Sequence, residues 1–195
     1  MTSKLISLAA LALAASVLPA GAATILLNTP SSPAVGSSFD VTVRLTGVFT
    51  THPGDGLAAF GFNVVIGNPS RVSYTGETIG ALFTDVSGVF GPSPQVAGFA
   101  TAGFLQAGDF TEPLTLATLH FRANALGLST IGIATDLTDP NQGLLYLTAS
   151  ADSLNASSSA NVTAAVPEPD TTIFVGLGLA SLLLYRRRPE RSLNC

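Results

Sequence analysis

The stretch FDVTVRLT at 39–46 puts Phe39, Val41, Val43 and Leu45 on one side of an extended chain, and Asp40, Thr42, Arg44 and Thr46 on the other. Successive side chains of a strand point to opposite faces, so this pattern builds a strand with one face buried. On a helix the same residues would be scattered around the axis. FGFNVVI at 60–66 repeats the pattern with Phe60, Phe62, Val64 and Ile66. In LATLHFRA at 116–123, Ala117, Leu119 and Phe121 face one way and Thr118, His120 and Arg122 the other. Shorter candidate strands are 24–27, 71–74, 96–101, 130–134, 144–148 and 161–166. Turn formers separate them: NTPSSPAVGSS, HPGDG, GNPS, GPSP and TDPNQG. No internal stretch sustains a 3.6-residue period, and TGETIGALFTDV is expected to hold a single helical turn at most. About nine short strands punctuated this way predict an all-β fold, a β-sandwich or jelly roll.

The 195 residues leave room for one ordinary domain once the two ends are set aside. At 1–22, Lys4 precedes an apolar run, a helix-ending Pro19 and the small residues Ala20, Gly21 and Ala22, the layout of a secretory signal peptide. The body, 23–165, then holds nine acids against three arginines and no lysine. That surface repels phosphate backbones, so nucleic acid is not expected as a partner. The only cysteine, Cys195, leaves the body without disulfides, and its stability must come from apolar burial.

Catalytic chemistry finds little to work with, and no cofactor is expected. His120 lies on the outward face of its strand and reads as a solvated surface histidine. His52 and Asp55 share the HPGDG turn, but no nucleophile elbow accompanies them. In TDLTDPNQG, the oxygen-bearing Asp136, Asp139 and Asn141 form a weak Ca²⁺ candidate. The spacing is not that of an EF-hand loop, and Asp and Asn are also what turns prefer, so turn chemistry is the favoured reading. Sugar stacking has few platforms, since there is no Trp and the body offers only Tyr74 and Tyr146 beside its phenylalanines.

The tail is more specific. An apolar run at 171–185 precedes Arg186, Arg187, Arg188 and Arg191. Its 15 residues span ~22 Å as a helix, short of the ~30 Å hydrocarbon core, a gap that bilayer thinning and snorkelling arginines can close. With the body exported, the arginines stay on the cytoplasmic side. Just before the run, Pro167, Glu168 and Pro169 cannot continue a helix, which leaves an extended segment outside the membrane.

Two resemblances follow. VGSSFDVTVRLTGV, LAAFGFNVVIGNPSRVSYTG and LTLATLHFRANALGLSTIGI resemble the pattern of the cohesin family, with a valine-alternating strand, a Phe-rich strand and an L-x-x-L-x-F-x-A strand turning through Gly into S-x-I. This implies a cohesin-like jelly-roll sandwich over 23–165; it does not imply dockerin binding. The tripeptide, apolar helix and basic stop over 166–191, with the chain running on to 195, resemble the PEP-CTERM sorting signal. In that family the Pro-Glu-Pro motif is recognised by exosortase, a membrane cysteine protease that removes the helix. By match, Pro167, Glu168 and Pro169 are the recognition residues and Arg186, Arg187 and Arg188 the stop. Asp170 stands where Ser, Thr or Ala is more usual. The resemblance implies export across the inner membrane of a Gram-negative bacterium, a transient membrane tether, and deployment at the cell surface or in the extracellular polysaccharide of a biofilm matrix. The expected function is therefore that of a non-enzymatic surface or matrix protein. The alternative is an adhesion module that binds carbohydrate or protein and stays permanently anchored.

Overall fold

The computed structural model describes residues 23–30 and 32–164. Ten strands form: β1 (Thr24–Asn28), β2 (Ser38–Thr46), β3 (Leu57–Ile66), β4 (Val72–Ile79), β5 (Phe83–Asp85), β6 (Val96–Ala100), β7 (Leu114–Ala123), β8 (Gly127–Ala134), β9 (Gly143–Tyr146) and β10 (Ala156–Val162). They make two sheets, ordered β1-β2-β7-β4 and β10-β8-β3-β6-β5, with β9 also on β3. All strand pairs are antiparallel. β8 and β9 lie end to end along one edge of β3, and residues 135–142 form the excursion between them.

The core is the alternation made solid. Val41, Val43 and Leu45 from β2, Phe60 and Phe62 from β3, Leu119 and Phe121 from β7, and Ile131 and Ile133 from β8 are buried between the sheets. Burying a side chain of this size stabilises by about 1.5–3 kcal/mol. A bulge opposite Val43 and Arg44 inserts Leu116 into β7, so Leu114, Leu116 and Ala117 are all buried.

Two sequence expectations need correction. The stretch TGETIGALFTDV contains no helical turn: β4 continues through it to Ile79, and β5 follows at Phe83–Asp85. A bulge between Tyr74 and Gly76 breaks the period-two phase there, which hid the strand. The last strand was expected at 161–166, yet β10 runs Ala156–Val162, because pairing with β8 carries three small serines into the ladder. Among the described residues no helix is long and apolar enough to cross a membrane. The expected signal peptide, 1–22, and membrane segment, 171–185, lie outside the described residues.

Candidate functional site

The chain leaves the sandwich at a fixed point. Thr163 donates its backbone N–H to the Pro33 carbonyl at 2.9 Å, and its own carbonyl accepts from Val35 N–H at 2.9 Å. This parallel bridge between residues 34 and 163 pins the segment after β10 to the loop before β2. Pro167, Glu168 and Pro169, with Arg186, Arg187 and Arg188, lie outside the described residues. Pro167 follows Thr163 by four positions, a reach of at most ~14 Å.

The loop residues singled out in the sequence are held by turn chemistry. Asp136 accepts from the Thr138 N–H at 2.9 Å and hydroxyl at 2.7 Å. Asp139 accepts from Asn141 N–H at 2.9 Å and from the Gln142 amide at 3.0 Å. The Thr138 bonds hold the Asp136 pKa below the usual carboxylate range, and the Gln142 amide together with the Asn141 N–H does so for Asp139. Asp136 Oδ1 and both Asp139 carboxylate oxygens accept hydrogen bonds from their own loop. Among the described residues no group of three or more His, Cys, Asp or Glu side chains gathers.

The residue missed by sequence reasoning is Gln142, buried to 2% exposure. Its Oε1 accepts from Asn63 Nδ2 at 3.2 Å and Asp136 N–H at 2.9 Å, and its Nε2 donates to Ser93 Oγ at 2.9 Å and to Asp139. One side chain thus ties the 135–142 excursion to the β5–β6 loop (86–95) and to Asn63 of β3. Nothing local distinguishes this glutamine from a turn residue, since its partners come from three separate segments. Beside it, Ala59, Phe99, Leu145 and Phe90 line a mostly apolar groove of about 190 Å³. The groove follows from the register, because Ala59 faces Phe99 on one side and Leu145 on the other.

His52 meets a residue far along the chain, whereas His120 lies on the outward face of its strand as expected, with its ring engaged rather than free. His52 Nε2 stands 3.3 Å from the carboxylate of Asp152, a hundred positions away, and its ring packs at 4.5 Å on Tyr146. Asp55 instead joins its own turn to the segment after β9, accepting from Gly56, Thr148 and Ala149 N–H and the Thr148 hydroxyl. Desolvation works against the charged Asp55, but these donors outweigh it and lower the pKa. His120, expected as a free surface side chain, is engaged at both nitrogens, Nδ1 at 2.8 Å from Asp40 and Nε2 at 2.9 Å from the Thr78 hydroxyl. Its chain of bonds crosses three neighbouring strands on the open face of the smaller sheet.

Residues 165–188 match the PEP-CTERM protein-sorting motif. No curated protein matches the chain. Among solved structures, the sixth cohesin of Acetivibrio cellulolyticus scaffoldin B, in complex with a Cel5 dockerin mutant, is similar at 16% identity and a TM-score of 0.44, covering 73% of this chain and 100% of that one. A type II cohesin from Acetivibrio cellulolyticus, in a cohesin–X-dockerin complex, is similar at 15% identity and a TM-score of 0.42, covering 73% of this chain and 95% of that one. A type I cohesin from Clostridium thermocellum, in a complex with a dockerin, is similar at 10% identity and a TM-score of 0.38, covering 73% and 100%. The chain thus carries a PEP-CTERM protein-sorting motif directly behind a β-sandwich similar to cohesin domains.

Proposed function

We propose that this is an exported, non-enzymatic surface or matrix protein. An exosortase-type membrane protease recognises Pro167, Glu168 and Pro169, removes the apolar segment 171–185 with its Arg186, Arg187 and Arg188 stop, and frees the sandwich for the extracellular polysaccharide. The observation that carries this is the sorting motif at 165–188, which begins one residue after the last described residue of the folded body. A cut there removes none of the ten described strands. Intact-mass analysis of protein from envelope and medium fractions tests the proposal.

One observation favours a second reading, a binding module that stays anchored. Phe99 and Phe90 are 48% and 53% exposed at the outer groove, a surface suited to an apolar or aromatic-accepting partner such as another surface protein or a polysaccharide. Retention of the intact chain in the membrane, with capture of such a partner lost on Phe99→Ser, would favour it.

A further inference from the structure

The antiparallel pairing fixes which loops surround the point where the chain leaves the body. Val162 pairs with Gly127, so β10 ends beside the β7–β8 turn. The described residues of the β1–β2 connection (29–30 and 32–37) and the β3–β4 loop (67–71) lie at this same end. Two large side chains protrude here: Leu126 at the tip of the turn, 58% exposed, and Leu128 two residues on, 55% exposed. Arg71 reaches across the turn and donates from Nη1 to the Leu128 carbonyl at 2.9 Å. Gly127 has φ +114° and carries the guanidinium where a side chain would stand, so the turn is shaped to hold that charge beside the leucines. Arg122, at the end of β7, adds a second charge.

The charge on the molecule is divided along its length. The loops at this end contain no acid, whereas those at the opposite end carry Asp55, Asp109, Glu112 and Asp152. A body with nine acids and three arginines therefore turns toward the departing chain an end whose loops hold no acid, the nearby Asp40 of β2 being engaged with His120. From Thr163 to the start of the apolar run at Thr171 the chain reaches at most ~28 Å.

Resting on the proposed membrane passage of 171–185, we propose that this end of the sandwich docks on the bilayer surface: Leu126 and Leu128 enter the headgroup boundary, and Arg71 and Arg122 meet anionic lipid phosphates. Two leucines and two arginines are too few to hold a free protein on a membrane. A tether of the seven residues 164–170 makes the contact intramolecular and raises its effective concentration, so a weak surface suffices. Docking sets the body in one orientation while the tripeptide is presented. After the cut the tether is gone and the same surface lets go.

The test uses the full chain with Cys195→Ser, inserted in vesicles of phosphatidylcholine and phosphatidylglycerol. An environment-sensitive fluorophore is placed at Leu126→Cys or Ala125→Cys, or at Ala107→Cys at the opposite end. Resistance to carbonate extraction reports insertion. The expected result is a blue-shifted label at 126 and 125, quenched several-fold more by lipid-borne quenchers than the label at 107. That difference is expected to shrink in pure phosphatidylcholine and in Arg71→Gln/Arg122→Gln. Equal water exposure at 126 and 107 in carbonate-resistant chains overturns the docking alone. Chains that carbonate extracts overturn the membrane passage and the docking with it. Shielding of 126 only in membranes that also contain the protease overturns the bilayer as the occupant and assigns the contact to that enzyme.

Discussion

The N–H of Thr163 donates to the Pro33 carbonyl at 2.9 Å, and the folded body is closed by that bond before the sorting motif begins. Ala160 and Val162, just upstream, are buried in the core. A chain cut back to Val166 is therefore expected to melt at the temperature of the uncut protein. One cut back to Asn155 loses β10, bares the β8 edge and should not fold cooperatively. Thermal denaturation followed by circular dichroism compares the two.

Gln142 joins Asn63, Ser93 and Asp139 across the outer face of β3. Gln142→Ala leaves the Asp136 N–H without its acceptor and the Asn63 amide short of one, at a cost of about 1–3 kcal/mol. Ser93→Ala should cost about 1 kcal/mol or less, since other members of the network remain paired. The two effects share partners, so the double variant should fall short of their sum in urea titrations.

Gly127 at φ +114° has Arg71 Nη1 only 2.5 Å from where a Cβ would stand. Gly127→Ala both strains the turn and expels the guanidinium, and should destabilise by more than about 1 kcal/mol. Gly54, at φ +84°, meets nothing within 4 Å, so Gly54→Ala carries the backbone strain alone and should cost less. Chemical denaturation of the two variants separates backbone strain from the displaced arginine.

Asp55, Asp136 and Asp139 have folded-state pKa values below their ordinary value of 3.8. A group depressed by folding contributes stability that is complete above its unfolded pKa and is lost as the pH falls through the folded one. The loops at 52–56 and 135–142 should thus be equally protected at pH 7 and pH 5, and open below pH 3.8. Hydrogen exchange at the Thr148, Ala149 and Asn141 amides, which these carboxylates accept, reads this directly. Faster exchange at pH 5 than at pH 7, beyond the intrinsic chemical rate, would contradict it.

The sandwich was legible where burial repeats with a period of two. Val41, Val43 and Leu45, or Leu119 and Phe121, point inward as their spacing says. It was illegible where a bulge shifts the phase, as at Tyr74 and Gly76, or where polar residues form an edge strand, as in β10. Side-chain partners at long range are out of reach of a sequence pattern: nothing near His52 points to Asp152, which lies a hundred positions on and meets its ring. Gln142 is the same case, because three distant segments must converge before its burial makes sense. The sorting motif was readable because its parts are contiguous and in order, needing no fold to assemble them.

Mass spectrometry of the C-terminus on mature protein from envelope and medium, for the natural chain and for Glu168→Ala, tests the central claim most directly. The account predicts a natural product that ends within or just beyond the tripeptide at 167–169 and lacks 171–195, while Glu168→Ala accumulates uncut in the membrane. Mature natural protein that still ends in Cys195, wherever it is found, would contradict it.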